Sequence, residues 1–489
     1  MTSFQNKIVN SVIWSAVDVV LRQGMQFLIL IVLARILAPE DFGVIALLAL
    51  FVGIAGIFVD GGFSSALIQR QNVTRIDEST VFYFNLAMGV AASLTLCFAA
   101  PSIAGLFEKP VIEPLIYAMA LNVFINAFGS IHTTLLTKEM NFKLIAKVSG
   151  AASFLSGMLA IVLAVKGFGV WSLALQTLAA SLVSTVLLWS WHAWRPVLSF
   201  SCHSLRSFFR FGGYLMIVGI IDTLHTNLYS VLIGKFYPIQ EVGYYDRAQK
   251  TQLLPVNLIM LVINRVAFSA FSSVAEERER LAQAFRKAQR LVMFVNIPLS
   301  VIIIVLAEPV ILTLFGEKWL ASVPILQVLG IVGLMWPMHI LNINVLKAQG
   351  RSDLFFNIML IKKIVAIGLT VAGSFYGIMA IAWAQVIASI FSIGVNAYYS
   401  KVFLNYGAAR QLMDLLPSLF IATLMGALMW LAAYGWDFSY YVELALASSA
   451  GGAYYLMMAY LLRIKALPEI GRLLLSRNKP VLAKDQIAR

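Results

Sequence analysis

Apolar runs of roughly 20 residues recur along the whole chain, and that is the length an α-helix needs to cross the hydrocarbon of a bilayer. Only helices and closed barrels satisfy every backbone polar group in lipid, and these runs are continuously apolar rather than alternating, which excludes a barrel. Composition agrees: of 489 residues, 60% are hydrophobic and 12% charged, against about 25% charged in soluble domains. The opening MTSFQNKIVNSVIWSAVDVV has no small-residue cleavage site, and its apolar run continues to Leu37, so it reads as a retained first span. Cys97 lies inside a run and Cys202 in a polar loop, which supports neither a disulfide nor a metal site.

Apolar runs set against polar breaks give about fourteen spans, near residues 12–37, 43–67, 80–100, 114–136, 145–165, 169–190, 212–235, 242–268, 291–308, 323–346, 355–375, 378–399, 415–434 and 442–462. Basic residues collect on the side of the N-terminus: Arg70 and Arg75, Lys138 to Lys147, Arg195 to Arg210, Arg278 to Arg290, Lys347, Arg351, Lys362, Lys363, Lys401, Arg410 and the tail. The opposite loops hold Lys109, Lys166 and Lys318 and gather Glu40, Asp41, Glu108, Glu113, Glu241, Glu308 and Glu317. The positive-inside rule puts both termini in the cytoplasm. The net charge of +13 is therefore a topology signal first and an attraction to membrane lipid headgroups second, not a nucleic-acid footprint. Residues 272–290 read as an amphipathic surface helix between spans eight and nine, and the tail around Ile470, Leu473 and Leu474 as a second interfacial one.

An internal repeat organises the spans. The end of span one, Arg35-Ile-Leu-Ala-Pro39-Glu-Asp41-Phe-Gly43, returns at the end of span seven as Lys235-Phe-Tyr-Pro238-Ile-Gln-Glu241-Val-Gly243. A second echo at nearly the same offset pairs Leu106-Phe107-Glu-Lys109 with Leu314-Phe315-Gly-Glu-Lys318. The expected fold is two six-helix lobes related by a pseudo-two-fold, 1–205 and 206–410, with two extra helices in 411–465 and a cytoplasmic tail, 466–489. Duplicated bundles of this kind hold a substrate near mid-membrane and rock around it. The chain has no G-x-x-x-x-G-K-[ST] phosphate loop. No cofactor is implied beyond a coupling ion, H+ or Na+.

Charges within spans cost about 2.5–3.5 kcal/mol each on the insertion scale, so they mark function or pairing. Ser11, Ser15, Asp18, Arg22 and Gln26 form one polar stripe on span one, and Asp18 with Arg22 also suits a self-neutralising i,i+4 pair. In the repeat register Arg22 corresponds to Asp222, which stands three residues before His225. On span eight Arg247, Lys250 and Asn257 fall on one side of a helix that Pro255 is expected to break, with Arg265 nearer its end. Arg22, Gln26, Arg247, Lys250, Asn257 and Arg265 are the candidate substrate contacts, because cations suit phosphate oxygens. Asp18, Asp60, Asp222 and His225 are the candidates for ion coupling or gating. Asp60-Gly61-Gly62 permits a kink or close helix approach.

The runs Leu33-Ala-Arg-Ile-Leu-Ala-Pro-Glu-Asp-Phe-Gly43 and Asp60-Gly-Gly-Phe-Ser-Ser-Ala-Leu-Ile-Gln-Arg70 resemble the amino-terminal signature of the bacterial polysaccharide transport family, in the superfamily of multidrug and oligosaccharidyl-lipid exporters. Leu314-Phe-Gly-Glu-Lys-Trp319, Pro324-Ile-Leu-Gln327 and Asn264-Arg-Val-Ala-Phe-Ser-Ala-Phe271 resemble its colanic-acid exporter branch. The resemblance implies an inner-membrane flippase for undecaprenyl-pyrophosphate-linked oligosaccharide, working by alternating access beside a polysaccharide polymerase. It carries over no site residues. A lipid II or multidrug exporter shares the fold, although a multidrug cavity should be acidic rather than cationic. A membrane glycosyltransferase or polymerase would need a larger outward loop than this sequence offers.

Overall fold

The computed structural model describes residues 2–272, 274–435 and 439–470, and every regular element among them is helical. Among the described residues, thirteen helices are long and apolar enough to cross a membrane. Contacts divide the chain into two compact units, Met1–Asp246 and Arg247–Arg489.

The first unit contains α1 (Thr2–Ile36), α2 (Pro39–Asp60), α3 (Phe63–Gln69), α4 (Arg75–Leu106), α5 (Ile112–Lys138), α6 (Phe142–Val165), α7 (Val170–Trp191) and α8 (Cys202–Phe236). Local sequence sets their ends. Thr74 and Asp77 form a reciprocal cap at the start of α4, where the Asp77 N–H donates to Thr74 Oγ1 at 3.2 Å and the Thr74 N–H to Asp77 Oδ2 at 2.9 Å. Pro39 opens α2, and the Ala38 N–H donates to Asp41 Oδ2 at 2.9 Å. Gly61 and Gly62 close α2 at φ of 54° and 71°, a left-handed conformation that glycine adopts without a Cβ clash. Span two is thus two helices, because the glycine pair ends the first. α1 packs on α6, α4 on α5, α6 on α7, and α2 on both α4 and α8.

Helix α9 (Ile239–Ser272) begins in the first unit and runs into the second, which continues with α10 (Arg278–Val305), α11 (Ala307–Leu314), α12 (Ser322–Ala348), α13 (Ser352–Ser374), α14 (Ile378–Leu404), α15 (Ala408–Gly435) and α16 (Tyr440–Leu461). α12 packs on α10 and α14, α13 on α14, and α15 on α10 and α16. A methionine-rich core of Met293, Met338, Met425 and Met429 fills the space around Ile297 and Tyr455. The outer faces are apolar too: Leu28, Phe98, Ile364 and Phe420 are all exposed. Contiguous apolar surface on this scale requires lipid around it.

Three expectations change. The charged stretch 272–290 is not a separate surface helix: from Arg278 it is continuous with span nine as α10, with Leu281 and Phe285 fully buried. Helix α9 runs through Pro255 without a break. Lys362 and Lys363 are not loop cations, since both are buried midway along α13. Of the tail, Ile470 packs on the methionine-rich core, while Leu473 and Leu474 lie outside the described residues.

Candidate functional site

The polar stripe of α1 divides by depth. Asp18 is buried and accepts a hydrogen bond from the Ser149 hydroxyl of α6. Arg22 and Gln26 are exposed. Among the described residues no ion pair joins Asp18 to Arg22, so the self-neutralising pair is replaced by a carboxylate held on α6 and an open guanidinium one turn away. The side chain of Ser11 lies outside the described ones.

Asp60 ends α2, and its carboxylate accepts from the Ser64 hydroxyl of α3. Ser64 Oγ in turn lies 2.7 Å from Thr134 Oγ1 of α5. The break at Gly61 and Gly62 lets this happen, because the chain turns Ser64 back over the helix end. A Cβ on Gly62 would strike the carbonyl oxygen of Gly212 on α8, and one on Gly212 would sit 2.7 Å from the Gly61 oxygen.

On α8, Asp222 and Thr226 are exposed and His225 half-buried, whereas Tyr229 and Ser230 are buried. Tyr229 stacks on Tyr245 at 4.6 Å between ring centroids and donates to Asp246 Oδ1 at 3.3 Å, tying α8 to the first turns of α9. Arg247 is buried, while Lys250 and Asn257 share an exposed face of α9; the Arg265 side chain lies outside the described ones. The candidate contacts are shared between the two units. Arg22 and Gln26 belong to the first unit, and Arg247, Lys250 and Asn257 to the second.

Both sequence echoes of the first unit meet at one end of it. Lys109 Nζ pairs with Glu40 at 3.0 Å, and Lys235 Nζ donates to the Leu106 carbonyl at 3.0 Å. Between them lies a cavity of about 160 Å³ lined by Phe107, Tyr237 and Pro238 among others.

Two clusters escaped the sequence reading. In the first unit His132 Nδ1 lies 2.9 Å from His192 Nδ1, beside Trp189 and Trp194. Burial holds the His192 imidazole below its ordinary 6.5; Glu139 at 3.9 Å opposes that shift and Arg195 adds to it. In the second unit, Lys362, His339 and Asn396 come together from three helices. The signal available for that cluster was the Lys-Lys pair inside an apolar run.

The family model described as polysaccharide biosynthesis protein matches residues 32–324. The chain belongs to this family. The match begins three residues before the Arg35 that opens the first repeat segment and runs past the second echo at Leu314. Among curated polysaccharide biosynthesis proteins, it is 29% identical to the teichuronic acid biosynthesis protein TuaB of Bacillus subtilis over 87% of this chain and 88% of that one. It is 27% identical to the succinoglycan biosynthesis transport protein ExoT of Rhizobium meliloti over 80% and 79% of the two chains. Among solved structures, the lipid II flippase MurJ in an inward closed conformation superposes with a TM-score of 0.77 at 15% identity, over 92% of this chain and 98% of that one. At that identity the likeness speaks for the fold. A polysaccharide biosynthesis protein with many membrane-spanning helices is the identity these findings give.

Proposed function

We propose that this protein is a flippase that moves undecaprenyl-pyrophosphate-linked oligosaccharide repeat units from the cytoplasmic to the periplasmic leaflet of a bacterial inner membrane. The observation that carries this reading is Arg22: an exposed guanidinium on a membrane helix, without a partner among the described residues, in a family of polysaccharide biosynthesis proteins. Such a charge costs about 2.5–3.5 kcal/mol at mid-membrane, and a pyrophosphate offers the bidentate acceptor that would offset it. Gln26, Arg247, Lys250, Asn257 and Arg265 complete the proposed contacts. Asp18, Asp60, Asp222 and His225 serve gating or coupling to an H+ or Na+ gradient. The lobes 1–205 and 206–410 alternate around the substrate, both termini stay cytoplasmic, and the repeat unit passes to a polymerase. No covalent step is part of this mechanism.

The test is a deletion strain. Lipid-linked repeat units should accumulate in its cytoplasmic leaflet, where mass spectrometry names the sugar, and the wild-type gene should clear them. Repeat units that reach the outer leaflet normally in the deletion strain would overturn the reading.

A further inference from the structure

Helices α12, α13 and α14 carry a polar cluster with no part in the proposed substrate path. Lys362 and Lys363 of α13 are 9% and 8% exposed, and Asn396 of α14 is 1% exposed. Lys362 Nζ donates to Asn396 Oδ1 at 3.2 Å. The other end of that amide, Nδ2, lies 3.5 Å from His339 Nδ1 of α12, and His339 Nε2 lies 2.8 Å from Ser389 Oγ. His339 stands nine residues before the end of α12 and Lys362 ten after the start of α13. At 1.5 Å per residue both are about 14 Å in from the connecting turn, near the middle of a hydrocarbon core about 30 Å thick.

Among the described residues no ion pair to Lys362 is formed, and the acids of the neighbouring α10 and α15, Glu279 and Asp414, stand near the ends of those helices. Neither α12 nor α14 has an Asp or Glu anywhere in its sequence. The one acid of α13, Asp353, stands nine residues before Lys362, and its side chain lies outside the described ones. The other titratable groups on these helices are Lys347 of α12, which stacks on Phe355 at 4.8 Å, Lys363 beside Lys362, and Tyr398, Tyr399 and Lys401 of α14. An ammonium in this setting is relieved either by an incoming anion or by loss of its proton. The small exposed surface of Lys362 favours the smaller ligand, the proton.

We propose that Lys362, Asn396 and His339 form a proton-exchange site in which one proton resides on Lys362 or on His339, the Asn396 amide turning over as it moves. In the observed arrangement the ammonium donates to Oδ1, the amide Nδ2 donates to the Nδ1 lone pair, and a neutral His339 keeps its hydrogen on Nε2 facing Ser389. When Lys362 loses its proton and His339 Nδ1 gains one, the flipped amide donates Nδ2–H to the amine lone pair and accepts Nδ1–H at Oδ1. The net charge is +1 in both arrangements. Protons on both bases would set an amide N–H against a donor. As a coupling site this rests on the transport reading; as a proton site it stands on its own geometry.

The full chain, labelled with 15N-histidine and held in lipid nanodiscs, contains five histidines, and His339→Gln assigns the resonance of interest. Wild type should show a neutral Nε2–H tautomer at His339. Lys362→Met should raise the proton affinity of His339 at least about tenfold, one unit in midpoint, whereas Lys362→Arg, a fixed cation, should hold it at or below the wild-type value. In vesicles carrying lipid-linked oligosaccharide, both Lys362 variants should lose the acceleration of flipping by a proton gradient. If Lys362→Met does not fold, Lys362→Gln takes its place in both measurements, with the same rise in the His339 midpoint expected. An unchanged His339 midpoint in every variant overturns the proposal, as does a midpoint that moves only when inorganic pyrophosphate is added. Wild-type vesicles that flip no oligosaccharide would defeat the transport reading while the titration still decides the proton site.

Discussion

Gly43 and Gly243 lie back to back: a Cβ on Gly43 would strike the Ile239 carbonyl oxygen and sit 3.2 Å from the Gly243 nitrogen, and a Cβ on Gly243 would strike the Pro39 carbonyl oxygen and sit 3.3 Å from the Gly43 nitrogen. Each repeat segment thus offers its glycine to the other's first turn. This is the reciprocal contact of a two-fold interface, made here inside one chain. Proline, acid and glycine recur two hundred residues apart because the two copies pack on each other.

Substituting either glycine should therefore be costly. Gly43→Ala and Gly243→Ala should each destabilise by about 1–3 kcal/mol or more through backbone overpacking, with the double variant losing less than the sum. Gly105→Ala and Gly150→Ala, where a Cβ would meet nothing within 4 Å, should stay within about 0.5 kcal/mol of wild type. Melting curves in detergent compare the five.

Asp18 and Arg22 should separate stability from transport. Ser149→Ala removes the donor to a buried carboxylate and should cost about 1–3 kcal/mol. Arg22→Ala and Lys250→Ala remove exposed cations; both should abolish polymer export at normal protein abundance. Wild-type export from the last two variants would take these residues out of the mechanism.

Arg286 and Asp414 hold α10 to α15. Both oxygens of Asp414 accept from the guanidinium, and Tyr406 donates to Asp414 at 2.7 Å. The arginine side chain is 50% exposed, so Asp414→Ala should cost about 1–2 kcal/mol after allowance for solvent screening. Tyr406→Phe should cost less, and Arg286→Lys should not restore the two-pronged contact. Melting curves rank the three.

His192 predicts an acid limit for the first unit. Burial keeps its folded affinity for a proton below the unfolded value of 6.5, so below that pH the unfolded chain binds a proton that the folded one refuses. This part of the stability is complete above pH 6.5 and is lost as pH falls through the folded value. His192→Gln should flatten the melting temperature against pH on the acid side; an unchanged slope would assign acid sensitivity elsewhere.

Much of the fold was readable from the chain because lipid removes alternatives: runs of the right length must be helices, and the repeat announced itself in four residue types. The Thr74–Asp77 cap and the break after Asp60 also follow from local residues. Helix ends without punctuation were not readable. Nothing between Arg278 and Asn296 stops a helix, so the charged stretch simply joins its span. Nor could the chain show that Lys362 faces His339 and Asn396, since 23 and 34 positions separate lysine from its neighbours and only the packing of α12, α13 and α14 closes those gaps. The Asp18–Arg22 spacing suggested a pair; Ser149, 131 residues away, won the carboxylate.

Helix α9 has a consequence for how the protein is made. Asp246, Arg247 and Lys250 sit within a few residues of one another near the start of α9. A charge near the centre of a span opposes insertion by about 2.5–3.5 kcal/mol. The Tyr229–Asp246 hydrogen bond and the stacking of Tyr229 on Tyr245 give this charged start a companion in α8, so release of the two helices from the translocation channel as a hairpin would offset that cost.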